Sequence, residues 1–94
     1  MALSIITIKT LETPAQGAAL REQILASIID QGRAVVNALT VRSVTPQAAD
    51  ACFGVLARDH GTEWVAQHVL LPDINPECLN TIAEAMQQRV KEES

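Results

Sequence analysis

Three times in this chain a small polar side chain stands directly before a proline and ahead of a helix-forming run: Thr13-Pro14-Ala15-Gln16, Thr45-Pro46-Gln47 and Asn75-Pro76-Glu77. The grammar is that of a helix start. The Thr or Asn accepts a first-turn N–H, the proline occupies a position that needs no N–H, and Gln16 can complete a capping box with Thr13. Glu77 adds a negative charge where the helix dipole favours one. Each start follows a short apolar or β-branched run: Leu3 to Thr10, Ala34 to Val41, and Val69-Leu70-Leu71. Strand and helix therefore alternate three times with short connections. That order specifies an α/β fold, a small βαβαβα domain whose mostly parallel sheet of three or four strands carries packed helices.

The runs between these starts read consistently. Leu20, Ile24 and Ile28 recur at helical spacing after Pro14, with Leu25 and Ile29 beside them, and Gly32 supplies a left-handed stop. Ile6 and Ile8 share one face of the first strand. The second run is nearly all apolar, as strands buried on both faces are, except for Asn37, which needs hydrogen-bond partners if buried. Ala49, Phe53, Leu56 and Ala57 form the stripe of the second helix, which stops near Gly61. Thr62 to Gln67 reads as a helical turn whose Trp64 packs over an end of the sheet. Leu79, Ile82, Ala83, Met86 and Val90 form the stripe of the third helix, and the polar tail 91–94 is expected to fray.

The 94 residues make one domain, spanning 1–94. With one Phe, one Trp and no Tyr, its core must be aliphatic. The net charge is −4 and the seven Lys and Arg residues are scattered, so neither a cationic phosphate-binding surface nor an aromatic base-stacking platform is visible. Nucleic acid is not an expected partner. The apolar opening MALSIITIKT is shorter than the roughly 20 residues that span a bilayer and lacks a secretory n-region. No membrane association is expected, and the cytoplasm is the default location. A three-stranded sheet leaves edges to be covered or paired, which makes dimerisation through an edge or face compatible with the pattern.

Catalytic and cofactor signatures are absent from the pattern. The strand-to-helix turns hold threonine and proline in place of a glycine-rich phosphate cradle. Cys52 and Cys78 lack metal-ligand or disulfide spacing and read as small apolar packing residues. The sharpest nucleophile candidate is Cys52, with His60 or His68 as base and Asp59 as orienter. On a continuous helix, however, Cys52 and His60 stand about 12 Å apart at ~1.5 Å per residue, too far for direct contact. The carboxylates are dispersed, no metal set emerges, and no cofactor is expected.

The remaining feature is the turn from Ser43 to Gln47, at the C-terminal end of the most buried-looking strand, where open α/β sheets bind ligands and partners. Leu20-Arg21-Glu22-Gln23-Ile24, the strand Val35 to Leu39, and Val44-Thr45-Pro46-Gln47-Ala48-Ala49-Asp50-Ala51-Cys52-Phe53-Gly54 together resemble the bacterial STAS-like domain of unknown function, a family related to the anti-sigma factor antagonists. Gly61, Val69 to Leu71, Asn75 and the third helix follow in the same order. The resemblance implies a non-enzymatic regulatory module that docks a histidine-kinase-like ATPase at this turn, with Thr45, Gln47 and Asp50 as contact positions. The related anti-sigma factor antagonists carry a phosphorylatable serine at the helix start, where this chain has Pro46-Gln47-Ala48. Asn37 and Ala38 replace an Asp and an aromatic, and Ala51 replaces a Glu. Two alternatives stand beside this reading: a small-ligand sensor with a pocket lined by Asn37, Thr45 and Trp64, and an enzyme using Cys52.

Overall fold

A computed structural model of the chain describes the backbone of residues 5–93 and the side chains of residues 5–91. Its elements are β1 (Ile5–Thr7), α1 (Pro14–Gln31), β2 (Ala34–Asn37), α2 (Pro46–Ala49), a π-helical turn (Asp50–Gly54), α3 (Val55–His60), α4 (Thr62–His68), β3 (Val69–Leu70) and α5 (Pro76–Glu93). The strands lie in the order β1-β2-β3 and both pairings are parallel. The fold is the small α/β domain that the alternation of runs specifies.

All three proline-bearing helix starts form. Thr13 Oγ1 accepts from the Gln16 N–H at 3.2 Å while Gln16 Oε1 accepts from the Thr13 N–H at 3.2 Å, a complete capping box. Thr45 Oγ1 accepts from the Ala48 N–H, and Asn75 Oδ1 accepts from the Glu77 N–H. The first two starts are also tied to each other. Leu11 and Val44 form a parallel bridge, the Thr45 N–H donates to the Leu11 carbonyl at 3.1 Å, and the Thr45 hydroxyl donates to the Glu12 carbonyl at 2.7 Å. Thus α1 and α2 begin side by side. Gly32 and Gly61 close α1 and α3 at φ values of 83° and 96°, the left-handed region that other residues avoid.

The core is aliphatic, as the composition requires. Leu11, Leu20, Ile24, Val36, Leu56, Val65 and Ile82 are buried around Phe53. Parallel register puts Ile5, Val35 and Leu70 in one row. Ile6, Ala34, Val36 and Val69 alternate with that row and join the core, whereas Ile5 is 58% and Leu70 38% exposed. The helices therefore seal one face of the sheet more fully than the other.

Several boundaries differ from the sequence expectation. The first strand is Ile5–Thr7, shorter than Leu3 to Thr10, of which Leu3 and Ser4 lie outside the described residues. The second strand ends at Asn37 and not at Val41, because Asn37 Oδ1 accepts from the Leu39 N–H and the chain turns through an Ala38 carbonyl to Val41 N–H bond. The bond from Leu39 gives the half-buried Asn37 side-chain oxygen its partner. Val35 is half-buried, so β2 is not sealed on both faces. Leu71 falls just outside β3. Ile29, grouped with the α1 stripe, is 87% exposed; Ser27 takes an inward place, its hydroxyl donating to the Arg33 carbonyl. On α5 the buried positions are Cys78, Ile82 and Ala85, while Leu79 and Val90 face outward. Helix α5 runs to Glu93, into the polar tail; Lys and Glu are strong helix formers.

Candidate functional site

The helix that starts at Pro46 contains the feature that shapes the site. Its second turn is π-helical, the Val55 N–H reaching back five residues to the Asp50 carbonyl. In an α-helix that N–H would bond the Ala51 carbonyl. The released Ala51 carbonyl accepts instead from Arg21 Nη1 of α1 at 2.5 Å. The wider turn is packed tightly on both sides. A Cβ at Gly17 of α1 would lie 2.3 Å from the Ala48 carbonyl oxygen, and a Cβ at Gly54 would lie 2.4 Å from Asp50 Oδ1. Glycine is required at Gly17 because two backbones touch there.

On the other flank, Asp50 accepts a forked pair of bonds from Arg89 of α5: Nε to Oδ1 at 2.9 Å and an Nη to Oδ2 at 2.5 Å. The pair is only partly buried, the Asp50 side chain being 39% exposed. It pins α5 against the π turn. Between the helix start and α5 a cleft of about 400 Å3 opens, with Pro46, Gln47 and Asp50 on one wall and Thr81, Glu84, Ala85 and Gln88 on the other. A smaller polar hollow lined by Arg42, Ser43, Val44, Glu77, Cys78 and Thr81 continues it, sharing Thr81. Together they form a groove from Ser43 to Gln88 along one side of α5. Glu77 and Glu84 are exposed on the α5 wall of the groove and Arg42 is exposed at one end.

Of the contact positions expected from sequence, Gln47 and Asp50 line this cleft together. Thr45 stands next to it, but its hydroxyl is engaged as donor to Glu12 and acceptor from Ala48. No family model, curated protein or solved structure matches the chain. What the site can do is argued from its own residues.

The residues expected to line a ligand pocket are not brought together. Asn37 closes β2 at the C-terminal end of the sheet. Trp64 lies on α4, which enters β3 at the end where Val69 pairs with Ala34. There its ring is stacked between His60 and His68, at centroid separations of 4.1 and 4.6 Å. The half-buried Trp64 also packs against the core cluster that contains Ala34 and Val69. His68 Nδ1 is 2.8 Å from the Trp64 carbonyl, so both histidines serve this stack.

Cys52 is buried, and burial pushes its thiol up to about 12, with Arg21 opposing weakly. Such a thiol carries almost no thiolate at neutral pH. Asp59, the expected orienter, is bound to Arg58, and that hydrogen bond holds its carboxyl below the usual range. Among the described residues no group of three or more His, Cys, Asp or Glu side chains could hold a metal ion, and no helix is long and apolar enough to cross a membrane.

The sequence reading missed the α5 wall and both arginines. Thr81, Glu84 and Gln88 recur at helical spacing on one side of α5, a polar stripe legible in principle but indistinguishable from a solvated face. Arg21 and Arg89 had no local signal, because their partners lie 30 and 39 residues away.

Proposed function

We propose that this domain is a non-enzymatic, STAS-like regulatory module that docks a protein partner in the groove between Ser43–Asp50 and α5. The observation that carries the reading is the cleft itself. Gln47 and Asp50, the positions to which the resemblance assigns partner contact, share one wall of it, and the opposite wall presents the exposed Glu84 and Gln88. The Asp50–Arg89 pair, the Arg21–Ala51 bond and the Thr45 cap hold that wall in place before a partner arrives. Preorganisation of this kind reduces the ordering cost of association. The resemblance implies a regulatory ATPase of histidine-kinase-like fold as partner. A phosphorylation switch at the helix start has no support in these residues, since Thr45 is committed to its cap and no serine follows it.

The test is affinity capture of the tagged protein from its host, comparing wild type with Gln47→Trp and Glu84→Arg, two exposed positions on opposite walls. Wild type should recover a regulatory ATPase and both variants should lose it. Equal recovery by all three would remove the groove as the docking surface. The second reading, a small-ligand sensor, is favoured by the cleft volume, which lies within the ~300–1,000 Å3 range of small-molecule sites. Thermal-shift screening with a metabolite panel separates the two readings. A ligand at 100 times its Kd would add about 2.7 kcal/mol, while an empty screen leaves only docking.

A further inference from the structure

The two histidines that flank Trp64 take no part in the groove. His60 ends α3, Gly61 turns the corner at a φ of 96°, and Trp64 and His68 follow on α4. The indole lies between the two imidazoles at centroid separations of 4.1 and 4.6 Å, with interplanar angles of 21° and 23°. Each of its faces is therefore covered by a ring of the one side-chain type that ordinarily changes charge near neutral pH. His60 is exposed, and Trp64 and His68 are half-buried, so protons reach the site from water.

We infer that this stack is an acid-tightened staple across the α3–α4 corner: protons taken up by the two imidazoles fasten the corner, and their release loosens it. Three contacts favour the charged rings. A cation within about 6 Å of an indole centroid is attracted to the negative π face, and both imidazoles lie inside that distance. Both histidines also stand in the last turn of a helix, His60 in α3 and His68 in α4, where the dipole favours positive charge. Finally, His68 Nδ1 is 2.8 Å from the Trp64 carbonyl oxygen. A carbonyl only accepts, so Nδ1–H donates, Nε2 is left to take the proton, and the existing bond becomes charge-assisted. The unfolded chain lacks these contacts, so folding stability rises as the imidazoles charge.

The surrounding charges do not supply this effect. Helix α4 packs against α3, β3 and α5. From α3 the stack meets Arg58 and Asp59, which hold each other at 3.0 Å, and α4 itself contributes Glu63. Strand β3 has no charged residue, and the hollow between α4, β3 and α5 is lined by apolar side chains alone. Arg21 of α1 acts on Asp59, and Arg33 stands one residue before Ala34, the pairing partner of Val69. Two carboxylates and three guanidinium groups thus surround the site, a small positive excess that the contacts of the stack must outweigh. The two imidazolium rings would themselves be about 9 Å apart, close to one Debye length, so water and salt screen their repulsion. The stack and the groove lie at opposite ends of the sheet, and the staple does not depend on the docking reading.

Trp64 is the only tryptophan, so its emission reads the stack directly. The experiment takes the full chain from about pH 8 to about pH 5.5, a range in which ordinary carboxylates stay largely ionised. Wild-type emission should fall, because a stacked imidazolium quenches indole fluorescence, and a His60→Gln/His68→Gln double variant should show no fall. Melts followed by circular dichroism should show the wild-type Tm rising by about 4–8 °C relative to the double variant over the same range. Trp64→Leu keeps both imidazoles and removes the indole, and it should lose most of that relative rise. Wild-type emission that stays flat overturns the inference, as does a Tm that changes equally with pH in wild type and double variant. A Trp64→Leu protein that keeps the whole rise also overturns it, because the helix ends alone would then carry the effect.

Discussion

Replacing Gly17 by alanine sets two physical effects against each other, and the structure decides between them. On helix propensity alone, a Gly in the body of an 18-residue helix should gain about 1 kcal/mol on becoming Ala. The added Cβ, however, would stand 2.3 Å from the Ala48 carbonyl oxygen and 3.0 Å from the Ala51 Cβ. An ordinary contact begins near 3.4 Å, so α1 must part from α2 and the π turn by about 1 Å. The obstructing atom is backbone and cannot rotate away. Separation also stretches the Arg21 bond to the Ala51 carbonyl.

Overpacking of this type costs about 1–3 kcal/mol, and contact with a buried backbone atom puts Gly17→Ala at the upper end. Subtracting the propensity gain leaves a net loss of about 2 kcal/mol. For a domain of this size each kcal/mol moves Tm by about 4–8 °C, so the melt followed by circular dichroism should fall by about 8–16 °C. Gly54→Ala is the informative control. Its Cβ meets Asp50 Oδ1, the end of a side chain that can swing aside at the expense of Arg89, and its loss should be roughly half as large. A Gly17→Ala protein that melts higher than wild type would refute the close helix crossing on which the groove geometry rests.

Two further predictions concern the ionisable groups around the π turn. The folded state keeps Cys52 protonated up to about 12, whereas the unfolded thiol ionises near 9.0. The stability this contributes is complete below pH 9.0 and is lost as pH rises toward about 12, by a little over 1 kcal/mol per pH unit at most. Denaturant titrations from neutral to alkaline pH should show that decline, and Cys52→Ala should flatten it; equal slopes in both proteins would contradict the burial argument. The Asp50–Arg89 pair is forked but partly exposed, so a double-mutant cycle with Asp50→Asn and Arg89→Gln should give a coupling of about 1 kcal/mol that shrinks in high salt.

What was readable from the chain follows the range of each interaction. Thr13, Thr45 and Asn75 cap through bonds to residues two or three positions away, so sequence spacing alone located all three helix starts. The stripe of Ala49, Phe53, Leu56 and Ala57 was legible too, and all four are buried. The π turn inside that stripe was not. Its cause is a carbonyl exchange between Val55, Asp50 and Ala51 supported by Arg21, and no local pattern signals a guanidinium arriving from α1. Asn37 showed the same limit at the end of β2. Its polarity was visible, but only the bond from Leu39 reveals that it ends the strand and does not lie within it.

Helix α5 carries the most instructive discrepancy. Its apolar residues at 78, 79, 82, 83, 85, 86 and 90, advanced by about 100° per residue, cover an arc of about 160°. The residues buried in the domain, Cys78, Ile82 and Ala85, take only about 60° of it. Reading it as one face placed Leu79 and Val90 in the core, where they are not, and left out Cys78 and Ala85, which are. The arc through Ile82 is buried in the domain, Met86 packs half-buried at its side, and Leu79 and Val90 lie exposed at the outer edge.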